Sequence, residues 1–239
     1  MRRAIHLLLR FLVHTLIKLD VEGLENVPRT GPVLLLMSHT TFLDPVLACV
    51  LVPRVVIPMG KVELFRIPLF NQLLRWYGAF PVRRGEMDLQ AFRYSFEALE
   101  QGRVLLIAPE GTRSEDGRLQ QGKPGTAYIA TRVDVPLVPM AIIGGEDFFS
   151  RLLQLRRTPV RVVVGPAFRL RKPGKVVRRQ MIHQMTEEIM YQMARLMPPE
   201  RRGVYSDLSK ATEEYIVYEP VNREPALGGM KRVAPALGG

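Results

Sequence analysis

The strongest constraint on the fold is a series of short, almost wholly apolar runs separated by stretches with helical periodicity. Pro32 to Met37, Arg54 to Met59, Gly78 to Val82, Val104 to Ala108, Leu137 to Ile143 and Val160 to Val164 read as strands. A strand with one wet face alternates apolar and polar residues, so runs that are apolar throughout belong in a sheet covered on both faces. Helices are expected at Pro45 to Val52, Pro68 to Tyr77, Asp88 to Gln101, Gly125 to Arg132 and Val176 to Met197. Within Asp88 to Gln101, the residues Leu89, Phe92, Phe96 and Leu99 follow the spacing of one buried face, and Gly102 stops the helix. This alternation predicts an α/β class: a single layered domain with a mostly buried mixed sheet flanked by helices. At 239 residues the chain is long enough to bury such a core.

A different kind of helix comes first. From Ala4 to Leu19 the chain is apolar except for Thr15 and for His6, Arg10, His14 and Lys18, which recur every fourth position. That spacing draws a narrow polar stripe on an amphipathic helix. Such a helix reaches about 24 Å, short of the ~30 Å hydrocarbon core, and Arg10 falls near its middle. It is therefore expected to lie on a membrane surface, not to span one. Lys18-Leu19-Asp20-Val21-Glu22 stands where a signal peptide would need a small-residue cleavage site. A helix packed on the domain's own core is the remaining alternative. The expected organisation is an amphipathic membrane-anchoring helix over 1–20, an α/β domain over 21–197, and a short helix with a flexible tail over 198–239. The short helix would run from Ser206 to Tyr215, and the tail repeats Pro225-Ala226-Leu227-Gly228-Gly229 as Pro235-Ala236-Leu237-Gly238-Gly239. Two copies are too few for a solenoid.

Charge points the same way. The formal net charge is +11, and from Arg151 to Arg179 the chain is rich in arginine and lysine with no acidic residue. Such a block calls for an anionic partner or a large solvated face. A single-strand nucleic-acid binder interleaves aromatics for base stacking, and here only Phe168 appears, so an anionic membrane surface is favoured and no nucleic acid is expected. The one cysteine, Cys49, rules out an internal disulfide and suits a reducing compartment. The expected location is the cytoplasmic face of the cell membrane, peripheral or monotopic.

Chemistry concentrates where strands end. Ser38-His39-Thr40-Thr41-Phe42-Leu43-Asp44-Pro45 follows a strand, at the position where α/β folds place ligands. Asp44 before Pro45 also reads as a helix start, with aspartate as N-cap. If the turn folds back, the carboxylate meets the imidazole and fixes its tautomer, leaving the other ring nitrogen to accept a proton. Gly78 to Gly85 ends in Arg83 and Arg84, and Pro109-Glu110-Gly111-Thr112-Arg113-Ser114 follows the strand at Val104 to Ala108. Each loop carries a guanidinium, whose planar fork matches phosphate oxygens, and Gly111 permits close backbone approach.

With these segments the chain resembles the glycerolipid acyltransferases typified by 1-acyl-glycerol-3-phosphate acyltransferase. A histidine, four residues and an aspartate match His39 and Asp44. A glycine, an apolar stretch and an arginine match Gly78 through Arg84, and Glu-Gly-Thr-Arg matches Glu110 to Arg113. Gly122-Lys123-Pro124-Gly125 and Val135-Pro136-Leu137-Val138-Pro139 resemble the family's later motifs, so the resemblance covers roughly Val21 to Pro166. It implies that His39 deprotonates an acceptor hydroxyl as that oxygen attacks an acyl thioester, with Asp44 orienting His39. It implies a lysophospholipid acceptor whose phosphate meets Arg84 and Arg113, with Glu110, Gly111 and Thr112 shaping the pocket. Lys123 would be a further phosphate or oxyanion contact, and amides near the last motif would serve the oxyanion. Acyl-CoA or acyl-carrier protein would be the donor. No metal and no bound cofactor are expected, since Cys/His zinc spacing and nucleotide-binding glycine loops are both missing from the sequence.

Overall fold

The computed structural model describes residues 1–85, 88–174 and 176–220, so Lys175 and the tail repeat lie outside the described residues. Helix α1 (Arg2–Leu16) runs directly into strand β1 (Ile17–Glu22). Strand β2 (Val33–Met37), helix α2 (Asp44–Leu51), strand β3 (Val56–Lys61), helix α3 (Pro68–Tyr77) and strand β4 (Phe80–Val82) follow. Helix α4 (Leu89–Glu100) leads to strand β5 (Val104–Ile107), and helix α5 (Gly125–Val133) leads to strand β6 (Leu137–Gly144). The chain then forms helix α6 (Phe148–Leu153), strands β7 (Thr158–Val164) and β8 (Phe168–Leu170), helix α7 (Arg179–Arg195) and strand β9 (Ile216–Tyr218).

The strands form one sheet in the order β1-β7-β6-β2-β5-β3-β4, with β8 pairing β6 and β9 off that path. It is mixed, as expected: β2 is parallel to β5 and β6, and β3 to β4 and β5, while β7 and β8 run antiparallel to β6. The apolar runs explain the layering. Along β2, Leu34 and Leu36 face one core, whereas Val33, Leu35 and Met37 face another. Both sides are dry because α4, α5 and α7 cover the first, through residues such as Leu99, Ala127 and Ile189. The second is covered by α1 and α2 through Val13, Leu47 and Ala48, together with Tyr77 of α3 and Phe148 of α6.

Several expectations change. The N-terminal helix stops at Leu16, and Ile17 to Glu22 pairs in parallel with Thr158 to Val163, so residues up to 20 are not a separate unit. This edge strand alternates in burial, with Ile17 buried and Lys18, Asp20 and Glu22 exposed. The helix itself has two characters. Ile5, Leu9, Val13 and Leu16 pack on the core, while Leu7 and Phe11 remain 64% and 65% exposed. Helix α3 touches α1 and likewise leaves Leu69, Phe70 and Trp76 exposed. In α4, capped by Asp88, the buried residues are Ala91, Ser95, Ala98 and Leu99; Phe92 and Phe96 pack partly buried against the core, and Leu89 is exposed.

Part of the arginine-rich stretch is spent on partners within the molecule. Arg161 faces Asp20 and Glu22, Arg169 pairs with Glu219, and Arg171 donates to Glu214 O. Arg157 Nη2 donates to His14 O and Ile17 O, fastening the start of β7 to the end of α1. Helix α6, missed in the sequence, ends with Arg156 N–H donating to Arg151 O and Leu155 N–H to Leu152 O. Those bonds hold Leu155 at φ 54°, a left-handed position normally given to glycine. A side chain there costs about 1–2 kcal/mol.

The expected short helix from Ser206 to Tyr215 is instead one 3-10 turn, Leu208–Lys210, in a loop leading into β9, and residues 198–220 are built into the domain. The buried Glu188 carboxylate accepts Thr212 Oγ1, Glu214 N–H and Tyr215 N–H at 2.8, 3.0 and 2.9 Å. Leu119 N–H donates to Arg201 O, Val204 N–H donates to Leu119 O, and Gly122 N–H donates to Tyr205 Oη. The loop ahead of α5 is thus held from behind by a segment far along the chain.

Candidate active site

The C-terminal ends of β2, β3, β4 and β5 share one edge of the sheet because these strands are parallel. That edge carries the loops with His39, Lys61 to Arg66, Arg83 to Gly85 and Pro109 to Ser114. The turn after β2 does fold back. His39 Nδ1 lies 3.1 Å from Asp44 Oδ2, and both side chains are buried. Asp44 is the first residue of α2 rather than its N-cap, and its carboxylate turns toward the preceding loop. Oδ2 also accepts Thr40 N–H at 2.7 Å and Thr41 N–H at 2.6 Å, while Oδ1 accepts Thr41 Oγ1 at 2.7 Å. A carboxylate bonded on both oxygens cannot swing, so the imidazole it holds has one orientation.

The main chain of His39 is clamped from the neighbouring loop. Its N–H donates to Glu110 Oε1 at 3.4 Å, and its carbonyl accepts Ser114 N–H at 2.7 Å. Glu110 Oε2 accepts Gln120 N–H at 2.8 Å. Glu110 acts from below the surface of the loop: its carboxylate is buried and supports His39 and the following loop. Burial pushes its carboxyl up to about 7, against the two backbone N–H groups, with Asp44 and Asp116 adding to the rise.

This shift has a definite sign. Between its ordinary value of 4.5 and about 7, folded Glu110 keeps a proton that the unfolded chain has released. Its contribution to stability is therefore present at low pH and is lost as pH rises through that window. Urea unfolding of the wild type and of Glu110→Gln across pH 4.5–7.5 is expected to show the loss in the wild type only. Parallel curves for the two proteins would mean that the carboxyl titrates normally.

Two of the arginine loops come within electrostatic reach of each other, through Arg84 and Arg113. Arg84 is half-buried, and its guanidinium is held below the usual range by that burial and by nearby Arg113, with Glu63 pulling the other way. Among the described residues no carboxylate lies within ion-pair distance of Arg84 or Arg113. Two guanidinium groups brought together on one edge favour an anion between them. Gly111, at φ 72°, lets the Lys123 stem cross its face, and a Cβ there would lie 3.1 Å from Lys123 Cγ. Lys123 N–H donates to Pro109 O at 2.8 Å. Thr112 is exposed on the same loop, as are Gly111, Arg113 and Lys123. The run Val135 to Pro139 leads into the expected strand, where Leu34 N–H donates to Pro136 O and Leu137 and Val138 pair with β2.

Sequence reasoning missed Thr41, whose hydroxyl donates to the Asp44 carboxylate, and Ser114 and Gln120, whose backbone N–H groups hold His39 O and Glu110 Oε2. For Thr41 the Thr-x-x-Asp spacing within a turn was the available signal. It also missed Phe42, which meets Phe148 and Phe149 beside the loop.

The chain is similar to known proteins in sequence and in fold. Residues 18–143 match the protein-family model described as Acyltransferase. A chloroplastic 1-acyl-sn-glycerol-3-phosphate acyltransferase from Brassica napus is 30% identical over 135 residues, 55% of this chain. The match spans only 39% of that plant protein. A 1-acyl-sn-glycerol-3-phosphate acyltransferase from Pseudomonas aeruginosa is 25% identical over 189 residues, 78% of this chain and 73% of that protein. The crystal structure of the 1-acyl-sn-glycerophosphate acyltransferase PlsC from Thermotoga maritima has the same fold, with a TM-score of 0.59. That match is 24% identical and covers 79% of this chain and 77% of the other.

Proposed function

This chain belongs to the acyltransferase family, and on that premise we propose that it acylates the free hydroxyl of 1-acyl-glycerol-3-phosphate from an acyl thioester, making phosphatidic acid. The observation that carries the reading is the buried His39–Asp44 pair, clamped by the Glu110 to Ser114 loop beside two converging arginines. His39 Nε2 takes the hydroxyl proton as that oxygen bonds to the thioester carbon. The C–S bond then breaks, and the leaving sulfur receives the proton from the imidazolium. Asp44 keeps Nδ1 oriented and stabilises the charge on the ring. Arg84 and Arg113 hold the acceptor phosphate, with Lys123 beside them and Gly111 and Thr112 lining the approach. Acyl-CoA or acyl-carrier protein supplies the acyl group.

The enzyme works at the cytoplasmic face of a membrane. No helix among the described residues is long and apolar enough to cross a bilayer. The outer faces of α1 and α3, with Leu7, Phe11, Leu69 and Trp76 exposed, support surface attachment instead. The test offers purified protein labelled acyl-CoA or acyl-carrier protein with lysophosphatidic acid, glycerol-3-phosphate and other lysolipids. Labelled phosphatidic acid is the expected main product. Free fatty acid with every acceptor would make it a hydrolase, and no turnover with either donor would make it a binding protein.

A further inference from the structure

Beside the catalytic loop stands an apolar corner that the proposed reaction does not use. Phe42, between His39 and Asp44 in sequence, stacks on Phe149 of α6 with ring centroids 5.2 Å apart. From there outward the surface stays greasy: Phe149 is 64% exposed, Leu153 87% and Leu155 95%. Side chains this far from the core add little to folding. Leu155 is the sharper case, because it sits at the left-handed position where glycine would carry no steric cost. The chain thus keeps strain at a residue that buries almost nothing in water, which points to a surface that covers it elsewhere.

Past the Asp147 cap of α6, the charges along this corner are basic. Arg151 and Arg156 flank the leucines, and no acidic residue follows Asp147 until Glu187. Arg157 ties the corner to the C-terminal end of α1, whose own exposed leucines and phenylalanine belong to the same layer of the fold. Exposed leucines flanked by arginines fit the boundary between acyl chains and anionic headgroups.

Resting on the membrane placement above, we propose that the corner between α6 and β7 is a second insertion point, which sinks Leu153 and Leu155 into an anionic phospholipid bilayer while Arg151 and Arg156 bind headgroup phosphates. Docking here as well as through α1 holds the catalytic loop against the bilayer. Phe149 and Phe42 then form an apolar path from the acyl layer toward His39.

The full chain carrying Leu155→Cys tests this with an environment-sensitive fluorophore on the new thiol. Cys49 does not compete for the label, because it is buried and burial pushes its thiol up to about 12. Vesicles of phosphatidylcholine with phosphatidylglycerol are expected to shift the emission to the blue. In parallel, Leu155→Gly is expected to lower partitioning onto those vesicles by about tenfold or more. Its melting temperature should hold or rise, since glycine relieves the strained position. Wild-type protein that pellets with vesicles while the label stays water-like would overturn the corner's role and leave attachment through α1 and α3 standing. Wild-type protein that fails to pellet would remove the membrane placement itself, and this inference with it. A blue shift with acyl-carrier protein but not with vesicles would make the corner a protein-docking site instead.

Discussion

His39→Ala is expected to lower turnover by about 10²–10⁴-fold or more while the protein stays folded and lipid-bound. The reason for intact folding lies in the main chain. The two clamps on residue 39 use its own N–H and carbonyl, meeting Glu110 Oε1 and Ser114 N–H, and both survive loss of the imidazole. Asp44→Asn differs in kind. Asp44 Oδ2 faces His39 Nδ1 and accepts two backbone N–H groups, while Oδ1 accepts a hydroxyl. An amide cannot accept on both sides, so this variant should lose activity and melting temperature together. Steady-state turnover beside thermal melts separates the two behaviours. A His39→Ala enzyme with near wild-type turnover would end the assignment of His39 as base.

Arg84→Ala and Arg113→Ala are each expected to raise the acceptor KM by about 10–150-fold, the equivalent of one charge-assisted hydrogen bond of roughly 1.5–3 kcal/mol. Nearby Arg113 and burial both press against the charge on Arg84. A bound phosphate relieves that pressure by pairing with both groups. Lysine should rescue only in part, because it restores charge without the planar fork. The KM for the thioester should stay near its wild-type value in all four variants. A rise confined to the thioester side would assign these loops to the donor.

The parts of this protein legible in sequence are those set by local pattern. The apolar runs of β2, β5 and β6 predicted a sheet covered on both faces, because only burial rewards such runs. The catalytic segments stood out because their residue types are costly to place without a use. What stayed hidden depends on partners distant in sequence. Strand β1 is an edge strand whose Lys18, Asp20 and Glu22 point outward, and its polar spacing continued the helical stripe of α1. Strands β8 and β9 are short and exist through each other and β6. Arg161, Arg169 and Arg171 looked like a solvated basic block until the fold brought them to Asp20, Glu22, Glu219 and Glu214. Glu110 was singled out by its motif, yet its buried role on the main chain of His39 appears only when β2 and β5 lie side by side.

The pairing of β1 with β7 has a consequence during synthesis. Arg157, which fastens the start of β7 to the end of α1, lies 140 residues beyond Ile17. At roughly 5–20 residues per second, the ribosome needs about 7–28 s to make that stretch. Throughout that interval β1 has no partner strand and the inner face of α1 has no finished core to pack on. Whatever binds apolar helices near the ribosome, whether a bilayer or a chaperone, therefore meets α1 before its own domain does, and the choice between surface and core at this helix is made before the native fold is complete.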